Sequence, residues 1–201
     1  MIKALMLDFG GVYFNDGYHR FISEIAKKHS IPRKKVVKII LDEFVYGTGF
    51  VIGTASEEEA LTEAFKKLEI TEDWRKWHKT ILKWYTPRKK LINYAKELRK
   101  NIKICMLSDQ TQYIIELEEK YRFFKNFDLS IISTQVGVAK PNSKIFNLAL
   151  HLLEIKPNEV VFVDDNPVNV NAAKKMGIHA FLVGDFERNN FQEFKKLNNS
   201  L

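Results

Sequence analysis

The sequence has little cysteine, glycine or proline, and it has no long apolar run. Its 201 residues include one cysteine, nine glycines and five prolines. A single cysteine cannot form an internal disulfide, and Cys105 lies in the apolar run 102–107, where we expect a small buried side chain rather than a reactive thiol. No run approaches the roughly 18 apolar residues that a membrane span requires. We therefore predict a globular protein of the cytoplasm, with no membrane partner.

The apolar start of the chain does not have the pattern of a signal peptide. Residues 1–7 run directly into Asp8 without a small-residue cleavage site, which predicts a strand. The net charge is +7. Most of the excess of basic residues lies between residues 87 and 126, which contain 10 basic and 5 acidic side chains. Basic clusters of this kind fall in amphipathic helical patterns, which favours solvated helix faces. No zinc-ligand spacing or stacking-aromatic motif is present, so we expect no nucleic-acid partner and a monomer or small homo-oligomer.

Five short, continuous apolar runs alternate with helical patterns. Continuous rather than alternating apolar runs are typical of strands that are buried on both faces of a parallel sheet. The alternation predicts right-handed βαβ units and an α/β fold. The predicted strands are Ala4–Leu7, Ile102–Leu107, Leu129–Ile132, Val160–Val163 and Ala180–Val183.

About ninety residues separate the first two predicted strands, which is too long for one crossover. They hold four amphipathic helical patterns, and Ser56 to Glu59 form a capping box before the third. We predict a small all-α domain of four helices over residues 16–86, inserted into an α/β core made of residues 1–15 and 87–201. Thr86-Pro87 is expected to open the helix that returns to the core.

Acidic and polar residues stand at the carboxyl ends of three predicted strands, which is the edge of a parallel sheet where ligands bind. Asp8 ends the first, Ser108 the second, and Asp164-Asp165 the fourth. Converging carboxylates would repel each other without a cation, and oxygen ligands favour Mg²⁺. Ser108 ahead of a helix could hold an anion, and Lys140 could supply a fixed positive charge. Together these residues predict a metal-assisted phosphate site with a carboxylate nucleophile.

These residues lie in four motifs that resemble those of the haloacid dehalogenase superfamily, in the family's order and over nearly the whole chain. The resemblance implies a Rossmann-like sheet of order 5-4-1-2-3 with a helical cap domain after the first motif. It implies that Asp8 becomes an aspartyl-phosphate, that Ser108 and Lys140 bind the phosphoryl group, and that Mg²⁺ is held by Asp8, the carbonyl of Gly10 and Asp165, with Asp164 in support. The motifs are Asp8-Phe9-Gly10-Gly11-Val12, Leu107-Ser108-Asp109, Lys140-Pro141 and Phe162-Val163-Asp164-Asp165-Asn166-Pro167.

Two residues depart from the family's usual pattern. Asp109 stands where asparagine is more common, so its N–H rather than its carboxylate is expected to face the phosphate. Gly10 stands where active phosphatases of the superfamily usually carry a second aspartate that protonates the leaving group and activates water. Asp16 and His19 are candidates to activate water in its place, and the sequence selects neither. Tyr13, Tyr46, Asn15 and Asp16 are candidates for the pocket wall.

The sequence leaves three functions open. The first is a Mg²⁺-dependent hydrolase of a small phosphorylated metabolite. The second is a 2-haloacid dehalogenase, which needs no metal and is disfavoured by the Asp164-Asp165 pair. The third, supported by Gly10 alone, is a catalytically idle protein that binds a phosphorylated ligand or another protein.

Overall fold

The sheet is built around the first strand in the chain. The computed structural model describes residues 1–188, and within them β1 pairs in parallel with β2 on one side and β4 on the other. The sheet has the order β3-β2-β1-β4-β5, which is the order implied by the resemblance. The strands are β1 (Ala4–Leu7), β2 (Lys103–Ser108), β3 (Leu129–Ile132), β4 (Val160–Asp164) and β5 (His179–Leu182).

Both faces of the sheet are buried, which explains why the strand sequences are apolar without alternation. Leu5 and Leu7 face one hydrophobic cluster, and Ala4 and Met6 face the other. Because neighbouring residues of a strand point to opposite faces, each face needs its own apolar set. Cys105 is fully buried among these side chains, and burial raises the pKa of its thiol. The predicted parallel α/β fold is therefore confirmed.

Ten α-helices lie along the described residues, together with one π-helix (Lys38–Tyr46) and three short 3₁₀ helices (Phe50–Ile52, Phe124–Asn126 and Pro157–Glu159). None of the helices within residues 1–188 is both long enough and apolar enough to cross a membrane. The α-helices are α1 (Gly17–Lys28), α2 (Arg33–Val37), α3 (Glu57–Lys67), α4 (Arg75–Trp84), α5 (Lys89–Leu98), α6 (Tyr113–Tyr121), α7 (Ser133–Val136), α8 (Ser143–Leu153), α9 (Pro167–Lys175) and α10 (Val183–Arg188).

The segment between β1 and β2 is helical, and each of the four predicted amphipathic patterns lies on a helix. The second pattern begins in α2 and continues in the π-helix. The predicted capping box opens α3, because the Ser56 hydroxyl accepts the Glu59 N–H at 3.1 Å and the Glu59 carboxylate accepts the Ser56 N–H at 2.7 Å. The apolar faces pack within the segment, with the rings of Phe21 and Trp77 5.5 Å apart.

The helical segment shares its hydrophobic core with the sheet. The rings of Phe9 and Tyr85 lie 6.0 Å apart, and those of Tyr18 and Tyr113 lie 6.2 Å apart. These contacts join residues of the segment to residues of the α/β core in one cluster. The division into a domain of residues 1–15 and 87–201 and a cap of residues 16–86 stays a prediction, and residues 189–201 lie outside the described part.

The return to the sheet differs from the prediction for Thr86-Pro87. Helix α5 begins at Lys89, and the preceding residues are extended. The Asn15 N–H donates to the Thr86 carbonyl at 2.8 Å, and the Arg88 N–H donates to the Tyr13 carbonyl at 3.0 Å. Because the outgoing and incoming chains hydrogen-bond to each other, the helix starts only after that pairing ends.

Candidate active site

Asp8 follows β1 at the carboxyl edge of the sheet and is almost fully buried. One of its oxygens, Oδ1, accepts the Ser108 hydroxyl at 2.8 Å and lies 2.9 Å from the Lys140 ammonium. Ser108 is the last residue of β2, so the two neighbouring strands bring these side chains together. The structure thus places Ser108 and Lys140, both predicted from the sequence, within hydrogen-bonding distance of the same Asp8 oxygen.

Lys140 is buried and bridges two carboxylates. Its ammonium nitrogen donates to Asp164 Oδ2 at 2.6 Å and lies 2.9 Å from Asp8 Oδ1. Burial alone would lower the pKa of Lys140, but the carboxylates of Asp164 and Asp8 raise it well above its usual value. Lys140 is therefore a fixed positive charge at neutral pH.

Asp164 is fully buried, and both of its oxygens are engaged. Besides Lys140, it accepts the Asn166 N–H at 2.8 Å and the Asn169 side-chain amide at 3.2 and 3.3 Å. These donors hold the carboxylate in place, which agrees with a supporting position behind the other acidic groups. Asn169 is not among the residues predicted from the sequence, although its place in the first turn of α9, just after the acidic pair, is a usable signal.

Asp165 differs from its neighbour because no hydrogen bond or ion pair within residues 1–188 holds its carboxylate. Oxygens of Asp8, Asp164 and Asp165 all lie within 4.8 Å of one another. Gly11 has φ +73°, and a Cβ at this position would overlap the Asp165 carboxylate. Glycine therefore both adopts the left-handed backbone and leaves room for the carboxylate to approach. The carboxylates of Asp8 and Asp165, at this short separation, fit a hard cation such as Mg²⁺.

The acidic cluster is electrostatically unfavourable by itself. Burial raises the pKa of Asp8 to about 8. The charge of Lys140 opposes this shift, and the charges of Asp164 and Asp165 add to it. Burial and the charge of Asp164 raise the pKa of Asp165 to about 6. A bound cation would favour the ionised form of both groups. Whether the carbonyl of Gly10 also binds the cation stays a prediction.

Asp109 positions Lys140. Its Oδ1 accepts the Lys140 backbone N–H at 2.9 Å, and the Tyr46 side chain also hydrogen-bonds to it. Burial raises the pKa of Asp109 to about 6, although Lys140 opposes the shift. Helix α6 begins at Tyr113 rather than directly after Ser108, because residues 109–112 first form this connection.

A cavity of about 90 Å³ adjoins these residues. The helical segment forms one wall, and the loop that follows β2 forms the other. Tyr18 and Thr111 border the cavity, and their buried hydroxyls have no hydrogen-bond partner among the described residues. The other lining residues are Asp16, His19, Leu41, Val45, Tyr46, Val51, Tyr85, Asp109 and Gln110.

Two of the four predicted wall residues are in the cavity lining, and two lie elsewhere. Tyr46 and Asp16 border the cavity. Tyr13 is instead buried in the core, where its ring lies 4.7 Å from that of Phe127. The Asn15 amide donates to the Thr86 hydroxyl at 2.7 Å and so joins the two connections to the helical segment.

The loop after β1 is also held from the far end of the described chain. The Arg88 guanidinium donates to the Gly11 carbonyl and to Glu187 Oε2, the latter at 2.6 Å. The sequence gives no signal for this link, because the three residues belong to separate elements.

The sequence model of the haloacid dehalogenase-like hydrolase family matches residues 2–177 of this chain. The chain belongs to this family. Among curated relatives, bifunctional epoxide hydrolase 2 of Mus musculus is 48% identical over 59 residues, which are 29% of this chain and only 11% of that protein. The chain thus matches about a tenth of the length of that relative. The D-ribitol-5-phosphate phosphatase of Bacteroides thetaiotaomicron is 24% identical and is matched over 90% of this chain and 91% of its own.

Solved structures of other haloacid dehalogenase-like hydrolases share the fold. A hydrolase of this family from Porphyromonas gingivalis is 26% identical, with a TM-score of 0.68 over 90% of this chain and 91% of its own. A family enzyme of Bacteroides thetaiotaomicron, solved as a magnesium complex, is 21% identical, with a TM-score of 0.70 over 90% and 92%. The second likeness supports the fold alone.

Proposed function

We propose that this haloacid dehalogenase-like hydrolase is a Mg²⁺-dependent phosphatase that uses Asp8 as its nucleophile. The observation that carries the proposal is the meeting of the Ser108 hydroxyl and the Lys140 ammonium at one Asp8 oxygen, beside the free carboxylate of Asp165. A phosphate monoester needs a nucleophile, donors for its oxygens and compensation of its charge. These residues provide all three.

Mg²⁺ would be held by Asp8 and Asp165, with the Gly10 carbonyl as a further expected ligand. When bound, the ion compensates negative charge on the transferring phosphoryl group. Asp164 remains behind this pair, since its oxygens already accept Lys140, Asn166 and Asn169.

The protein groups then divide the reaction into two displacements. An Asp8 oxygen bonds to phosphorus as the bond from phosphorus to the substrate's alcohol oxygen breaks, which gives an aspartyl-phosphate. The Ser108 hydroxyl turns from Asp8 to a phosphoryl oxygen, and Lys140 remains protonated beside it. Water then attacks phosphorus, which releases phosphate and restores the Asp8 carboxylate.

The cavity supports a small substrate that carries hydroxyl groups. Its volume is about 90 Å³, and the hydroxyls of Tyr18 and Thr111 at its border are buried without a partner in the described part. Buried hydroxyls gain by pairing with a polar ligand. The similarity to a polyol-phosphate phosphatase agrees with this substrate class.

The test is release of phosphate and chloride from a panel of sugar phosphates, polyol phosphates and 2-chloropropionate, with and without Mg²⁺. We expect phosphate release that requires Mg²⁺ and falls to background in Asp8→Asn. Asp185→Asn, an exposed aspartate paired with Arg188, is the control and should retain activity. Chloride release without Mg²⁺ would instead establish a dehalogenase. Binding of phosphate without release of either product would establish a binding protein.

A further inference from the structure

Asp16 and His19 form a pair at the start of α1. Asp16 Oδ1 accepts the His19 N–H at 2.9 Å and so caps the helix, while Asp16 Oδ2 lies 2.6 Å from His19 Nδ1. One carboxylate oxygen is thus committed to the backbone, and the other shares a hydrogen with the imidazole. Both residues border the cavity beside Asp109.

The Asp16–His19 pair lies beside Gly10, the position at which active phosphatases of the superfamily usually carry a second aspartate. Gly10 has no side chain, and a Cβ placed there would lie 3.4 Å from Asp16 Oδ2 and 3.4 Å from the Gln110 amide nitrogen. Ligand atoms of Asp16, His19 and Asp165 lie within 4.8 Å of one another, and a ligand atom of Asp165 also lies within 4.8 Å of one of Asp8. Asp165 therefore connects the pair to the nucleophile's cluster.

The in-line geometry of phosphoryl transfer also favours Asp16. In an in-line displacement the leaving oxygen stands opposite the attacking one. Asp8 is buried at the sheet edge and does not line the cavity, whereas Asp16 and Asp109 do. We therefore expect a leaving group that points away from Asp8 to extend towards the cavity. Of the acidic groups along the cavity, Asp109 is held by the Lys140 N–H and by Tyr46. Within residues 1–188, His19 is the only hydrogen-bond partner of Asp16 Oδ2.

We propose that Asp16 is the catalytic acid and base of this hydrolase, with His19 as its positioning residue and proton reservoir. The inference rests on the proposed phosphatase function. In the first step Asp8 bonds to phosphorus as the bond from phosphorus to the leaving oxygen breaks, and that oxygen takes the electron pair and a proton from Asp16 Oδ2. This proton is the one that Asp16 shares with His19 Nδ1, so the pair is left one proton short. In the second step water gives a proton to the pair as its oxygen bonds to phosphorus and the bond from phosphorus to Asp8 breaks.

The experiment compares leaving groups that need a proton with leaving groups that do not. Glycerol 3-phosphate, ribitol 5-phosphate and glucose 6-phosphate are the alkyl probes, and p-nitrophenyl phosphate and acetyl phosphate are the activated ones. Single turnovers with excess protein and Mg²⁺ isolate the first step. Asp16→Asn is the main variant, because asparagine also caps helices but cannot donate a carboxyl proton. Asp73→Asn is its match, since Asp73 also accepts a backbone N–H, at 3.0 Å from Arg75, but is exposed and does not line the cavity.

We expect Asp16→Asn to slow alkyl phosphates by at least about 100-fold and p-nitrophenyl phosphate by less than about 10-fold, the range for loss of a general acid. Gly10→Asp in the Asp16→Asn background should recover at least part of the alkyl rate, since its carboxylate starts beside the lost one. His19→Gln should show the same preference for activated leaving groups, more weakly. Acid quenching with acetyl phosphate should trap more phosphorylated protein in Asp16→Asn than in the native chain. Asp73→Asn should match the native protein throughout.

Each other result overturns the inference. Unchanged alkyl rates in Asp16→Asn would assign the acid elsewhere, and equal losses on both classes without recovery by Gly10→Asp would assign a structural role. If Asp16→Asn does not fold, equal losses of rate in His19→Gln on alkyl and activated phosphates would likewise assign a structural role. Native turnover of activated phosphates but of no alkyl phosphate would reject the inference and keep the proposed function. Absence of phosphate release from every probe, acetyl phosphate included, would reject both.

Discussion

The carboxylates at the sheet edge and the carboxylate of Glu72 in the helical segment are held in opposite ways. Asp8 and Asp165 lie close to other acidic groups, and burial raises the pKa of each. Burial also opposes ionisation of Glu72, but hydrogen bonds from Lys28, His29 and Trp77 lower its pKa to about 2. The fold therefore stabilises the charge of Glu72 by its own donors, whereas no donor within residues 1–188 pairs with the Asp165 carboxylate. This difference agrees with a structural role for Glu72 and with the proposed metal-binding role for Asp165.

The largest expected effect is on the response to Mg²⁺. At 100 times its dissociation constant, Mg²⁺ should add about 2.7 kcal/mol to the free energy of unfolding. Asp165→Ala should abolish this gain, and in the absence of Mg²⁺ it should not lower stability at pH 7, because its raised pKa makes the ionised form unfavourable. Thermal unfolding with and without Mg²⁺ measures both effects. An unchanged Mg²⁺ response in Asp165→Ala would contradict the metal site.

A smaller effect is expected from Gly11→Ala. Alanine in the left-handed conformation costs about 1–2 kcal/mol, and its Cβ would also displace the Asp165 carboxylate. Gly137→Ala is the matched control, because Gly137 has φ +70° and no atom of another described residue lies within 4 Å of its Cβ position, chain neighbours aside. Both variants should lose similar stability, and only Gly11→Ala should lose the Mg²⁺ response. Equal responses of the two variants to Mg²⁺ would show that the Asp165 carboxylate can bind the ion without the space that Gly11 leaves for it.

The smallest effect is expected at Glu72. Glu72→Gln should lower the free energy of unfolding at pH 7 by about 1 kcal/mol, since its carboxylate accepts charged and neutral donors near the surface. Because the pKa of Glu72 is lowered on folding, this contribution is complete above about pH 4.5 and declines as the pH falls towards 2. Urea unfolding of both proteins at pH 7, 5, 4 and 3 should show converging stabilities. A difference that stays constant over this range would mean that the glutamate's charge contributes nothing.

The sequence predicts those features of the site that depend on where strands end. Asp8, Ser108 and Asp164 could be placed together because each stands at the carboxyl end of a buried apolar run, and the carboxyl ends of parallel strands share one edge. The prediction for Tyr13 was wrong because an aromatic residue near a motif can equally belong to the core, where Tyr13 packs on Phe127.

Contacts between side chains of distant elements could not be predicted. The Tyr113 hydroxyl donates to Glu57, 56 residues away, and joins α6 to α3. Asp16 Oδ2 lies 3.4 Å from the Cβ position of Gly10, and no periodicity in the sequence records this approach. Such contacts depend on how the elements are oriented, which local patterns do not specify.

The central place of β1 has a consequence for the order of folding. β1 precedes in the chain both strands that flank it, and its partner residues begin at Lys103 and Val160. The four residues of β1 are completely buried in the finished sheet, yet they remain without either neighbour until much later residues have been synthesised. Pairings at such sequence separation form slowly, because a long loop must close first. An apolar strand without partners can associate with other chains. The strand that leads to Asp8 thus stays open to misassembly until both β2 and β4 have been synthesised.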